Sequence, residues 1–126
     1  MLSHDVLEVI LRELTAFPQL RTKEWAVCAG ERLHFKGNYT LMTDNLLDPS
    51  HVSWVHQSSF GSAACEDTPL DTTVADNGVT VSRWMRNVEP APFYAPFLKF
   101  KGLCDRKQQY EVRFPSHAYI KAIFAP

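Results

Sequence analysis

Positions 44–56 read DNLLDPSHVSWVH and carry two carboxylates, Asp44 and Asp48, and two imidazoles, His51 and His56. Two histidines with one carboxylate and open positions form the ligand set of non-haem Fe(II) sites, and neutral imidazole also suits zinc and copper. A second carboxylate beside such a set orients a histidine from the outer shell. The spacing alone does not decide. His51 and His56 are five apart, about 140° of rotation on an ideal helix, so they share no face. Both reach one ion only if the metal lies over the helix flank, or if the second histidine sits at a bent or fraying end. Asn45 and Asp48 are i, i+3 neighbours, as are Asp48 and His51, so an amide, a carboxylate and an imidazole can follow one another on one face. Asp48-Pro49 reads equally as an ordinary helix start, with Asp as cap and Pro at the first helical position. In that reading the histidines are incidental, and residue types and spacing leave both readings open.

The elements that must position these groups follow from periodicity and punctuation. Residues 5–14 alternate as a short amphipathic helix, capped by Ser3 or Asp5 and ended by Pro18. Residues 25–28 and 33–41 read as strands, with a turn at Gly30 between them, and the second leads into the helix carrying the histidines. That helix is expected to end near residues 58–61, before a Ser/Gly/Ala loop. Strands at 70–75 and 79–86 flank Asp76-Asn77-Gly78, a hairpin turn in which Asn and Gly accept positive φ. Along the second strand Val79, Val81 and Arg83 point one way and Thr80, Ser82 and Trp84 the other. The Pro- and aromatic-rich EPAPFYAPF, residues 89–97, connects to further strands at 109–114 and 118–124, separated by Pro115-Ser116. The fold class expected is α+β: a mostly antiparallel sheet with a helix or two.

Composition excludes several classes. The chain has 126 residues, 45% hydrophobic and 21% charged, enough for one domain with a core. A net charge of −1 provides no basic field for nucleic acid or an anionic membrane. No window approaches the roughly 20 apolar residues of a membrane span, and no secretory signal is visible. Cys28, Cys65 and Cys104 form neither a C-x-x-C nor a C-x-H arrangement, so free thiols in a reducing cytoplasm are expected.

Three segments carry a resemblance. NYTLMTDNLLDPSHVSWVH, residues 38–56, is similar to the segment of Rieske-type aromatic oxygenases that holds the mononuclear iron. The family pattern N-x-x-D-x-x-H-x-x-x-x-H is met by Asn45, Asp48, His51 and His56. VSRWMRNVEPAPFY, residues 81–94, and GLCDRKQQYEVRFPSHAYI, residues 102–120, resemble the vanillate O-demethylase branch. The match runs in register from about Trp25 to Pro126, whereas residues 1–20, a helix of unclear origin, resemble nothing recognised.

The resemblance implies that residues 21–126 are part of a helix-grip (Bet v1/START-like) catalytic domain. It implies a mononuclear Fe(II) held by His51, His56 and one later carboxylate. Asn45 would sit beside the iron, and Asp48 would hydrogen-bond toward the cluster-bearing domain of a neighbouring subunit. The implied chemistry is O-demethylation or hydroxylation of a substituted aromatic acid with O2. The implied partners are a reductase or Rieske-bearing chain and other copies of the subunit, a trimer in the family. The [2Fe–2S] cluster ligands of the intact family protein are not found on this chain, and Asp71, Asp76 and Asp105 do not match the later carboxylate. A chain cut at both ends and inactive alone is therefore expected. The alternative is a metal-free helix-grip module binding a small hydrophobic or aromatic ligand. Phe60, Phe93, Tyr94 and Phe97 are pocket or core candidates, Trp54 and Trp84 core candidates, and His34 and His117 ordinary sheet or loop residues.

Overall fold

The computed structural model describes residues 23, 26, 30–114 and 117–126. The chain divides into two compact units, Met1–Phe35 and Lys36–Pro126. Every described helix and strand belongs to the second. The helix expected at residues 5–14, the boundary after residue 20, most of the strand at 25–28 and the Pro115-Ser116 separator lie outside the described residues.

Residues 30–38 form no strand, and Tyr39 begins a helix, α1 (Tyr39–Leu47). The expected strand at 33–41 is thus incorrect. Tyr39 and Thr40 favour strands, but Asn38 Oδ1 accepts from the Thr40 N–H at 3.1 Å and caps the first turn. A local cap outweighs a weak propensity where nothing is buried to set strand register. A 3-10 turn (Pro49–His51) and two short helices, α2 (Val52–Val55) and α3 (Ala64–Asp67), lead to the sheet.

Four strands follow: β1 (Asp71–Ala75), β2 (Gly78–Val88), β3 (Cys104–Arg113) and β4 (His117–Ala125). They pair in chain order, all antiparallel. The architecture is α+β, as the sequence leads one to expect. Ala75 pairs with Gly78, so Asp76-Asn77 is the two-residue hairpin loop. Its chemistry differs from the expected one, however. Among the described residues positive φ occurs at Asn87 (53°) and Gly102 (93°), not in this turn. Space is what requires Gly78, because a Cβ there would lie 2.1 Å from the Val112 carbonyl oxygen.

β3 starts at Cys104, five residues before the expected Gln109, and this longer strand sets the inner face. Cys104, Arg106, Gln108, Tyr110 and Val112 are all buried, and each is followed by a partly exposed residue. On β2 the buried positions Val81, Arg83 and Met85 share that face. Trp84 has the opposite parity and is 39% exposed, with the Arg86 guanidinium 4.4 Å from its ring. Trp54 is 67% exposed, because Val52 and Ser53 take the buried side of the one-turn α2. Neither tryptophan is a core residue, contrary to expectation. The core is small, with Val52, Cys65 and Met85 packed against Ala64 and Val88. Cys65 and Cys104 are buried free thiols. No described helix is long and apolar enough to cross a membrane.

Register shifts between Met85 and Val88, where Asn87 adopts its positive φ. Asp105 Oδ1 accepts the Asn87 N–H at 3.0 Å, and Oδ2 accepts from Arg86 Nη1 at 2.5 Å. The Arg86 bond, reinforced by the Asn87 N–H, holds the Asp105 carboxyl below its ordinary value. A depressed folded value means that the stabilisation is present at neutral pH and is lost as pH falls through that folded value. The urea midpoint of wild type is therefore expected to approach that of Asp105→Asn on going from pH 7 to strong acid. A gap between the two that is unchanged over this range would refute the linkage.

Candidate metal centre

The break after α1 builds the site. The Asp48 N–H donates to the Asp44 carbonyl at 3.0 Å and closes the helix. Asp48 Oδ1 then accepts from the Ser50 N–H at 2.9 Å and from Ser50 Oγ, capping the 3-10 turn with Pro49 in its first position. The Ser50 hydroxyl, then its N–H and the nearby His51, hold the Asp48 carboxyl below the usual range despite some desolvation. The helix-start reading is therefore correct for Asp48. The turn it caps carries His51.

His56 sits at the frayed end of α2, with φ −112° and ψ 24°. Its carbonyl accepts from the Gly61 N–H at 2.8 Å and the Ser59 N–H at 3.0 Å. The helical face argument against the pair is thereby circumvented. The ring centroids of His51 and His56 are 5.3 Å apart, with planes at 65°. An imidazole centroid lies about 3.2 Å from an ion bound at one of its nitrogens, so two rings sharing an ion sit about 4.5–5.5 Å apart. The pair fits that spacing. His51 Nδ1 is also buried without a hydrogen-bond partner among the described residues, so it can accept from a donor or ligate a cation. The two imidazoles thus fit two positions of a divalent iron. Among the described residues no three His, Cys, Asp or Glu side chains converge as a metal cluster.

Both histidines open onto a cavity of about 420 Å³ that Asn45 also lines. Asp48 is exposed and is not part of that lining. Phe60 and Tyr94 line the cavity, and Phe93 packs against Phe60 at 4.8 Å. An edge-to-face series runs from His56 to Phe60 at 5.8 Å, and Tyr94 packs on Phe124 at 4.9 Å. Phe97 stays 73% exposed and outside the lining. His34 is exposed in irregular chain, and His117 lies on β4 outside the cavity.

Sequence reasoning missed two buried arginines that hold the site. Arg83 is 2% exposed and Arg106 fully buried. Arg83 donates from Nε to Gln108 Oε1 at 2.8 Å, from Nη2 to the Pro49 carbonyl at 3.1 Å, and from Nη1 to the Cys65 carbonyl. Arg106 Nη2 donates to the Phe60 carbonyl, and its guanidinium lies 5.6 Å from both the Tyr94 and Phe124 rings. Each guanidinium thus ties the sheet to the loops carrying the histidines. The signal was present in part: Arg83 alternates with Val79 and Val81 on the inward face. Arg106 was hidden by starting β3 too late.

Residues 35–123 match the family model described as the vanillate O-demethylase oxygenase C-terminal domain. The chain belongs to this family. Its relatives include a vanillate O-demethylase oxygenase subunit from Pseudomonas sp. (strain HR199), 38% identical over 78% of this chain and 29% of that one. The iron-sulfur subunit of a toluene-4-sulfonate monooxygenase system from Comamonas testosteroni is 35% identical over 70% of this chain and 26% of that one. The crystal structure of dicamba monooxygenase bound to 3,6-dichlorosalicylic acid superposes with a TM-score of 0.64 at 23% identity. That match covers 71% of this chain and 26% of the other, and it is a likeness of fold. The chain thus spans less than a third of the length of these relatives. As a member of the vanillate O-demethylase C-terminal family, it has its paired imidazoles at residues 51 and 56, inside the matched segment.

Proposed function

We propose that the chain is part of the catalytic domain, spanning residues 21–126, of a Rieske-type mononuclear iron oxygenase. The proposed reaction is O-demethylation or hydroxylation of a substituted aromatic acid, and the isolated chain does not turn over. One observation carries the reading: two imidazoles at ligand spacing open onto an aromatic-lined cavity. His51 and His56 hold Fe(II), which when bound supplies the dioxygen chemistry. Asn45 stands beside the pair on the cavity wall. Phe60 and Tyr94 exclude water and hold the substrate ring. Asp48, exposed outside the cavity, receives a hydrogen-bond donor from the cluster-bearing domain of a neighbouring subunit in a homo-oligomer, the route by which electrons enter. The third ligand, the Rieske [2Fe–2S] cluster and the reductase are supplied from beyond the described residues. A cytoplasmic setting accords with two buried free thiols.

The test is anaerobic titration with Fe(II), then nitric oxide, read by electron paramagnetic resonance. A stoichiometric iron–nitrosyl signal is expected, lost in the His51→Ala, His56→Ala double variant. A signal of equal size in that variant refutes the ligand assignment.

A second reading is favoured by the lack of a three-residue metal cluster among the described residues. In it the cavity of about 420 Å³ binds an apolar or aromatic ligand without metal. Stabilisation by an aromatic acid that persists in chelator, with no nitrosyl signal, selects this reading over the first.

A further inference from the structure

Gln108 lines the cavity that holds His51 and His56, and it is only 4% exposed. Its amide has a defined orientation. A guanidinium only donates, so the atom 2.8 Å from Arg83 Nε is Oε1. Cys65 Sγ approaches the same oxygen at 3.6 Å. The other end, Nε2, makes no hydrogen bond among the described residues. An amide with two N–H donors thus lines the cavity without a hydrogen bond among the described residues. Such a group can donate to an acceptor atom of a bound ligand.

Tyr110, the next inward position on β3, and Tyr94 also line the cavity. Neither phenol has a hydrogen bond among the described residues. Burial pushes both phenols up, Tyr110 against the pull of Arg83 and Tyr94 against that of Arg106, so both are neutral donors at physiological pH. Positive charge lies behind this wall. Arg83 and Arg106 are buried, and neither has a carboxylate partner among the described residues. Arg106 Nε and Nη1 have no hydrogen-bond partner among the described residues. Two buried cations without a counter-charge are unfavourable. Neutral donors facing a cavity with such cations behind them are complementary to an anion. Lys121 adds a cation to the lining itself, and Leu46, Val52, Phe60 and Ile120 provide apolar walls for a ring.

We propose that Gln108 is the specificity-determining residue of this cavity: its Nε2, with the Tyr94 and Tyr110 hydroxyls, receives the oxyanion of an aromatic carboxylate or sulfonate, whose charge offsets those of Arg83 and Arg106. The proposal rests on the cavity being a substrate site, as in the proposed function, but not on iron being present.

The test is calorimetric titration of the chain in excess chelator with three probes: 4-methoxybenzoate, 4-methylbenzenesulfonate and the neutral 4-methoxybenzamide. One or both anions are expected to bind at least about tenfold more tightly than the amide, and their ranking tells carboxylate from sulfonate. Gln108→Glu retains an acceptor for Arg83, so the fold survives, but it replaces the donor with a negative charge. It is expected to lose about 30-fold in anion affinity while the amide stays within about threefold. Tyr110→Phe, which removes only one hydroxyl, is expected to lose about threefold to tenfold for the anions, and it decides the matter if Gln108→Glu does not fold. Equal affinity for anion and amide overturns the proposal. So does an undiminished Gln108→Glu variant, or the absence of saturable binding of any probe to about 10 mM. Chelator removes iron from this assay, so the nitrosyl experiment can fail while anion selection stands, and the reverse.

Discussion

Arg83→Met is expected to destabilise the fold by about 3–5 kcal/mol, read as a shift in urea midpoint at constant slope. Methionine retains most of the buried volume, so the loss falls on hydrogen bonds rather than on a cavity. Arg83 donates to Gln108 Oε1, the Pro49 carbonyl and the Cys65 carbonyl. Hydrogen bonds from a charged donor contribute about 1.5–3 kcal/mol each, and buried carbonyls left unpaired add a cost. Against this, relieving a buried guanidinium of its desolvation returns several kcal/mol, which is why the net falls below the sum of the bonds. The Pro49 carbonyl lies two residues before His51, so the variant is also expected to weaken Fe(II) binding in the nitrosyl titration. Arg83→Lys keeps the charge but cannot span three acceptors, and it should recover less than half of the loss. A methionine variant that melts with wild type would show that the turn holds itself.

How much of this was legible in the residues depends on what decides each element. The β1–β2 hairpin was readable because Asp76-Asn77-Gly78 is local chemistry between two alternating runs, although steric crowding at Val112 rather than positive φ is what requires Gly78. The run at 33–41 was misread because one side chain, Asn38, settles its state. Trp54 and Trp84 were misassigned because hydrophobicity indicates what can be buried, while parity along a strand and the facing of a one-turn helix decide what is.

The geometry shows why a helix start and a pair of neighbouring imidazoles are compatible within residues 44–56. A continuous helix through them would set His51 and His56 about 140° apart. Asp48 caps a break, the chain turns at Pro49, and α2 is short enough for His56 to sit at its fraying end. The cap that argued against a metal site is the device that brings the imidazoles together. The motif resemblance pointed to this stretch, but spacing could not, because the decisive contacts come from residues more than thirty positions away. Arg83 reaches back to Pro49, and Arg106 to Phe60.

Gly61→Ala is expected to be similarly severe, for the opposite reason: it adds atoms where none fit. A Cβ at Gly61 would lie 2.1 Å from the Val52 carbonyl oxygen and 2.9 Å from that of His56. Both neighbours are backbone, at the start of α2 and at its frayed end, so neither can rotate away as a side chain would. The Gly61 N–H also donates to the His56 carbonyl at 2.8 Å, so moving Gly61 outward breaks the bond that fixes the histidine. Overpacking of this kind costs about 1–3 kcal/mol, and with the lost bond we expect about 2–4 kcal/mol. Iron affinity should fall at least about tenfold, because a shift of roughly 1 Å at His56 removes the ligand spacing that the nitrosyl signal needs. Gly37→Ala provides the comparison: nothing lies within 4 Å of its Cβ position, and its urea midpoint should stay near that of wild type. If Gly61→Ala melts with wild type and binds iron as tightly, the turn is not what positions His56, and the imidazole pair must be held from the cavity side instead.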